Sequence, residues 1–325
     1  VTPVPAQMRR GPYWFQGSAD AIYQNLNLIA DESPDIVAVF GAHHNKRKDP
    51  RHKNDKHPES GAGVTVAAIP VPKHEAREFG VIEVDDGGRI LAFHEKVADP
   101  PTMPGNDEMC LASMGNYVFD TQTLIDVVTP RENQYTDLGS HVIPALTDAG
   151  VARVYDFSKN DIPGQDDREK GYWRDVGTID SFFHANMDLI SPVPIFNLYN
   201  EHWPVYTTRR GLPPAKVSRG RGGEPSFVDG SLLCQGSIIS GSHVERSIVG
   251  PGTYIDHDAH VTDSIIFPDV HIGAGVRLHR CIVDKNVIVP DWERVGLELD
   301  ADRERFTVSD EGVVVIEKGR DLSHG

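Results

Sequence analysis

Hydrophobic positions along the chain fall into two textures. Up to residue 195, short apolar runs alternate with stretches of helical spacing. Ile36-Val37-Ala38-Val39-Phe40, closed by Gly41, and Val64-Thr65-Val66-Ala67-Ala68-Ile69 are unbroken, which predicts buried strands of a parallel sheet covered on both faces. Ile22, Leu26 and Ile29 recur at helical spacing behind Ser18. Ser18 is the expected N-cap, and Asp20 falls in the first turn, where a carboxylate favours the helix dipole. Residues 81–84 and 89–93 flank Asp85-Asp86-Gly87-Gly88, a hairpin signature. Residues 116–119 read as a further strand and 124–128 as the beginning of a helix. Thr178 is the expected cap of a helix that buries Phe182, Phe183 and Leu189. Alternation of this kind predicts an α/β domain over residues 1–195.

From 196 to 225 the pattern weakens and Pro, Gly and Arg accumulate, which reads as a linker. Beyond it, Ser247-Ile248-Val249, Ser264-Ile265-Ile266 and Cys281-Ile282-Val283 recur at a constant 17-residue interval. An extra copy, Ser237-Ile238-Ile239, precedes the series. Single aliphatics such as Ile255, Val261, Ile272, Val276 and Val287 punctuate the polar residues between. A repeat this short cannot bury its own apolar face and must stack on its neighbours, so 226–325 is expected to form a parallel β-helix of hexapeptide repeats. An ordinary sandwich of short strands would not hold so constant a period.

The 325 residues suffice for two domains, and 39% hydrophobic with 25% charged residues are ordinary globular values. No run of about 18 apolar residues offers a membrane span, and the first five residues have neither the basic nor the apolar part of a signal peptide. Cys110, Cys234 and Cys281 are odd in number and far apart, giving no disulfide framework and no metal spacing. A reducing cytoplasm is the expected location. A formal net charge of -16 argues against nucleic-acid binding, and an anionic substrate would need local basic residues to receive it.

Four segments carry a family resemblance: Trp14-Phe15-Gln16-Gly17-Ser18-Ala19-Asp20-Ala21, Phe93-His94-Glu95-Lys96, Ala112-Ser113-Met114-Gly115 and Tyr172-Trp173-Arg174-Asp175-Val176-Gly177-Thr178. With Trp203-Pro204, Pro213-Pro214-Ala215-Lys216 and the hexapeptide rungs, they cover nearly the whole chain. Together they resemble the sugar-nucleotide pyrophosphorylases, specifically the bacterial glucose-1-phosphate adenylyltransferases (ADP-glucose pyrophosphorylases). The resemblance implies a nucleotidyltransferase, Rossmann-like α/β domain followed by a left-handed parallel β-helix. It implies the reaction of ATP with glucose 1-phosphate to ADP-glucose and pyrophosphate, with Mg²⁺, in glycogen biosynthesis. Such a transfer aligns two anions and neutralises charge, so it wants a lysine on the sugar phosphate and carboxylates on the metal.

By that resemblance Lys96 binds the phosphate of glucose 1-phosphate, with Glu95 on the sugar hydroxyls. Gly80 and Ser113 line the same site, and Phe15 stands where the family usually has tyrosine. Asp175 is the implied metal ligand, and Lys96 and Asp175 are the implied catalytic pair. Each also has a plain structural reading: a solvated Glu-Lys pair, a turn glycine, a core hydroxyl, a helix-start carboxylate and a packed aromatic.

Departures from the family are as informative. Nothing here resembles the family's glycine-rich nucleotide loop, so the chain is expected to begin downstream of it, without an evident cradle for the ATP phosphates. His43 occupies the position of a second metal aspartate, and a neutral imidazole is a poor ligand for Mg²⁺. Residues 45–57 hold six lysines and arginines and no large aliphatic, which predicts a solvated loop instead of a docked helix. Two further readings stay open: a non-catalytic fragment or regulatory relative that binds sugar phosphate without turnover, and a hexapeptide acyltransferase using His243, His257, His260, His271 or His279 as base. The family implies small-molecule allosteric effectors and a homotetramer.

Overall fold

The structure is a computed structural model. It describes residues 3–5, 8, 12–41, 57, 61–129, 135–207, 210–320 and 322, and the backbone of 44–46. Contacts divide the chain into two units, Val1–Ala42 with Arg47–Ile162, and His43–Lys46 with Pro163–Gly325.

The strands through residue 175 are β1 (Ile36–Phe40), β2 (His44–Lys46), β3 (Val64–Pro72), β4 (Gly80–Val84), β5 (Ile90–Glu95), β6 (Met109–Asp120), β7 (Ala152–Asp156) and β8 (Trp173–Asp175). In the first unit the sheet order is β5-β4-β6-β3-β7, with β1 also on β6. The expected parallel sheet is in fact mixed. Among the described residues only β3 and β7 run parallel, while β1, β3 and β4 all lie antiparallel to the long β6. The apolar run of β3 is buried along most of its length, as its composition predicts, whereas β1 is half-exposed and Phe40 faces solvent. An edge strand needs only one covered face, and an apolar run alone does not say whether one face or two are covered.

Helices Ser18–Tyr23, Leu26–Glu32, Thr121–Val128 and Ile143–Asp148 complete this unit. Its core gathers Val64, Val66, Phe119, Leu124, Val142, Ile143 and Ala152. Residues 124–128, read as a helix beginning, are its second half. The helix starts at Thr121 because Asp120 accepts the Thr123 N–H at 2.9 Å. The hairpin forms as its turn chemistry predicts: Asp85 Oδ1 accepts the N–H groups of Gly87 and Arg89, both at 2.9 Å.

In the second unit, three parallel sheets stack into a β-helix, consistent with the left-handed hexapeptide type. Val244, Val261, Leu278 and Val295 stack in register on one face. Val249, Ile266 and Val283 do so on the second, and Ile239, Ile255, Ile272 and Val289 on the third. All are buried. The 17-residue period is therefore one full turn of the coil. Corners repeat with it, since Arg246, Asp263 and Arg280 all hold a left-handed backbone. Ser237-Ile238-Ile239 is not a further copy of the series. Ile238 pairs with Tyr254, on a different face from Ile248, which pairs with Ile265. Its distance from Ser247 falls short of one turn.

The serines of the series form an internal ladder. Ser247 Oγ accepts the Ser264 N–H and Ser264 Oγ accepts the Cys281 N–H, both at 3.1 Å. Helix Ile179–Asp188 covers one outer face of the coil, with Phe183 buried against Ile265, Ile282 and Val313. Thr178 caps it as predicted, in a reciprocal pair with Ser181. The stretch read as a linker contains the coil's first strand, Lys216–Ser218. All three cysteines are free.

Candidate active site

The site begins in the β4–β5 hairpin. Gly80 opens β4 and pairs with Glu95 at the end of β5. A methyl carbon on Gly80 would lie 2.5 Å from Phe93 Cζ and 2.8 Å from Glu95 Oε2. Glycine is thus required by close approach of these two side chains, not by a turn. Lys96 follows in a left-handed conformation, φ 50°, its N–H donating to Phe79 O at 3.2 Å. Such a backbone is unfavourable for a side-chain-bearing residue by ~1 kcal/mol or more and concentrates at functional positions.

Ser113 lies on β6, where the register with β3 slips between Val66 and Ala68. The bulge brings Gly115 into the left-handed region at φ 60°, and its N–H reaches Ser113 Oγ at 3.4 Å. The Ser113 hydroxyl also acts on the Tyr117 phenol, favouring its ionised form. Tyr117 is buried, and burial pushes its phenol up to about 12, so it stays protonated and able to donate.

A loop contributed from far along the chain closes this group. Asp137 Oδ1 accepts the Ser140 N–H at 2.9 Å and the Ser140 hydroxyl at 3.1 Å, and Oδ2 accepts the Ser18 hydroxyl at 2.8 Å. Burial works to raise this carboxyl, yet the hydrogen bonds from Ser140, Ser18 and Gly139 outweigh it and hold Asp137 below the usual carboxylate range. Around Gly139 three acceptors converge. A methyl carbon there would lie 3.5 Å from Asp137 Oδ1, 3.7 Å from Glu95 Oε2 and 3.9 Å from Tyr117 Oη. Burial raises the Glu95 carboxyl, against the Lys96 charge and with the Asp137 charge.

Gly80, Glu95, Lys96 and Ser113 are therefore gathered with Tyr117 and Asp137 in the first unit. Phe15 is half-buried, two residues ahead of Gly17. Asp175 belongs to the second unit, at the end of β8 opposite His44, and its Oδ1 accepts the Gly177 N–H at 3.2 Å. His43 and residues 47–56 lie outside the described residues. The expected Ser18 cap is not one: Gly17 holds the N-cap position, no side chain caps the helix, and Ser18 Oγ serves Asp137 instead. Tyr117 and Asp137 were missed in the sequence. Tyr117 had a signal, since two residues four apart on one strand share a face. Asp137 had one too, since Asp137-Leu138-Gly139-Ser140 matches a capping pattern.

Among the described residues, no three His, Cys, Asp or Glu side chains could jointly hold a metal ion. Mg²⁺ commonly takes one or two carboxylates and fills its octahedron with water and substrate phosphates. Asp175 fits that donor set as one ligand. The histidines of the coil lie on its outer columns, where His243 stacks on His260 at 5.2 Å and Tyr254 on His271 at 5.1 Å. Among the described residues, no helix is long and apolar enough to cross a membrane.

This fold and the convergence of acceptors at Gly139 point to a class: a nucleotidyltransferase domain joined to a hexapeptide coil. The nucleotidyl transferase family model matches residues 1–191, and the GlmU-like C-terminal hexapeptide model matches 213–316. Glucose-1-phosphate adenylyltransferase of Corynebacterium jeikeium is 49% identical over 322 residues, covering 98% of this chain and 78% of the relative. The enzyme of that name from Frankia casuarinae is 49% identical over 324 residues, with 98% and 79% covered. That from Anaeromyxobacter sp. is 46% identical over 324 residues, again 98% and 79%. The chain belongs to the glucose-1-phosphate adenylyltransferase family.

Proposed function

We propose that this chain joins glucose 1-phosphate to ATP, forming ADP-glucose and releasing pyrophosphate. The observation that carries the reading is the convergence of Glu95, Tyr117 and Asp137 beside Lys96. Carboxylates only accept hydrogen bonds when ionised and repel a phosphate dianion, so Glu95 and Asp137 suit sugar hydroxyls. Tyr117, held neutral, can both donate and accept. Lys96 alone in this group carries the positive charge that a sugar phosphate needs. A phosphate oxygen of the sugar then attacks the α-phosphorus of ATP while the bond to the pyrophosphate oxygen breaks, a reaction governed by alignment.

Mg²⁺, when bound to the nucleotide, would neutralise developing charge on its phosphates, and Asp175 is the carboxylate that would hold it. On this reading residues 1–195 supply the catalytic groups and the coil begins at Lys216, within the stretch read as a linker, while 163–195 falls in the same unit as the coil. A cytoplasmic homotetramer answering to small-molecule effectors is the matching cellular form.

Calorimetric titration of glucose 1-phosphate into the purified chain, beside Lys96→Ala, tests the reading, with ATP and Mg²⁺ titrated separately. Saturable binding lost in the variant is expected. A folded chain that binds no sugar phosphate would overturn the site.

A further inference from the structure

Asp137 is held by side chains of two different origins, besides the neighbouring Gly139 N–H. Ser140, three residues on, caps its Oδ1 through both N–H and hydroxyl. Ser18, 119 residues away in sequence, donates its hydroxyl to Oδ2 at 2.8 Å and accepts the Leu138 N–H at 2.8 Å. One hydroxyl therefore fixes both the carboxylate and the backbone just beyond it. The contact is part of a wider clamp. Ala19 and Asp20 both donate their N–H groups to Thr136 O, at 2.9 and 3.1 Å. Gly17 approaches the same carbonyl so closely that a methyl carbon there would lie within 3 Å of the Thr136 carbonyl carbon. Asp20, buried at the helix start, accepts the Gln16 N–H at 2.9 Å and the Gln24 amide at 2.8 Å, fixing the turn that presents Ser18.

We propose that Ser18 is a positioning residue for the sugar subsite: its hydroxyl orients the Asp137 carboxylate so that the remaining acceptor sites face a sugar hydroxyl. This rests on the glucose 1-phosphate reading above. An sp³–sp² torsion is broad and roughly two-fold; the Ser140 bonds anchor Oδ1, and the Ser18 hydroxyl fixes the other oxygen, Oδ2. Ser140 takes Oδ1 twice, Ser18 takes Oδ2 once and the Gly139 N–H adds a fourth bond, and an oxygen with a lone pair left over can accept from a substrate hydroxyl. The charged and titratable groups facing Asp137 are Glu95 at the end of β5, with Lys96 beside Glu95, Tyr117 on β6, and His141 one turn on, whose Nδ1 accepts the Asp137 N–H at 3.2 Å. None of these groups replaces the Ser18 hydroxyl on Oδ2. Its loss also leaves Leu138 N–H without its acceptor.

The test compares the full chain with Ser18→Ala and Ser18→Thr. Glucose 1-phosphate binding is read by calorimetry, and the Asp137 carboxyl titration by carbon-13 NMR. Ser18→Ala is expected to weaken binding about three- to tenfold, the range for one net hydrogen bond at a partly exposed site. The Asp137 titration should move upward, because one bond to the ionised form is gone. Ser18→Thr keeps the hydroxyl and should restore both. A merely structural serine would alter neither the titration nor the rescue. Unchanged affinity and unchanged Asp137 titration in Ser18→Ala would overturn the inference, as would failure of threonine to rescue. The titration needs no sugar, so it decides the Ser18–Asp137 coupling even if the unsubstituted chain binds no glucose 1-phosphate. That result would instead overturn the functional reading and the substrate role given to Ser18.

Discussion

Replacing Gly80 by alanine probes the geometry that places Glu95. The added methyl carbon would meet Phe93 Cζ at 2.5 Å, Glu95 Oε2 at 2.8 Å and Phe93 Cε1 at 2.9 Å. Those separations are all too short, so ring, carboxylate or strand must yield. Forcing one carbon into a packed site costs typically ~1–3 kcal/mol, which for a unit of this size lowers the unfolding temperature by roughly 2–12 °C. The two neighbours yield differently. Phe93 packs against the core, so its displacement is read in stability. Glu95 has a solvent-reaching head that can swing away, so its displacement is read in affinity. Losing a hydrogen bond from a sugar hydroxyl to this carboxylate weakens binding by about 10- to 150-fold. Thermal unfolding and calorimetric titration with glucose 1-phosphate measure the two effects. Adding Phe93→Leu removes the ring contacts and should recover stability without recovering affinity. Gly80→Ala that melts and binds like the parent would refute the close-approach argument.

Lys96→Gly and Lys96→Ala should both lose sugar-phosphate binding, but only glycine is relieved of the left-handed backbone, so thermal unfolding should find it more stable than alanine by ~1 kcal/mol. Glu95→Gln should stabilise the fold at pH 7 and change nothing below about pH 4. Burial raises this carboxyl, so its destabilising ionisation appears as pH climbs through the raised value; equal effects at both pH values would contradict this. Ser264→Ala should cost about 1–3 kcal/mol in urea unfolding, because its buried hydroxyl donates to Thr262 O at 2.7 Å and accepts the Cys281 N–H at 3.1 Å. Ser264→Cys should recover part of it, since cysteine already occupies the next rung, and a neutral alanine would remove the ladder's role.

The coil was legible because every turn repeats the same physical demand. Each rung must offer inward aliphatics at fixed positions, so the period appears in the sequence as Ser247, Ser264 and Cys281. What the period does not tell is which face a run occupies. Ser237-Ile238-Ile239 has the composition of the series and lies on another face, since all three faces ask for the same residues. In the α/β unit, β3 was legible by its buried β-branched run. The apolar run of β1 was over-read, because strand direction and edge position come from pairing partners distant in sequence.

The same distinction divides the site. Gly80, Glu95 and Lys96 belong to one hairpin whose turn is written locally, and their association follows from it. Asp137 joins them from a segment over forty residues further on, which the turn at Gly17 also docks against through Thr136, bringing Ser18 across 119 residues. Read alone, Ser18 before a run of helical spacing is a cap, the commonest use of serine there. Its hydroxyl can make only a few bonds, and donation to Asp137 with acceptance from Leu138 N–H competes with capping. The helix, left without a side-chain cap, has its first N–H groups satisfied in part by Thr136 O. A local rule thus gives way where a long-range contact, the docking of this turn on Thr136, sets the choice of partner.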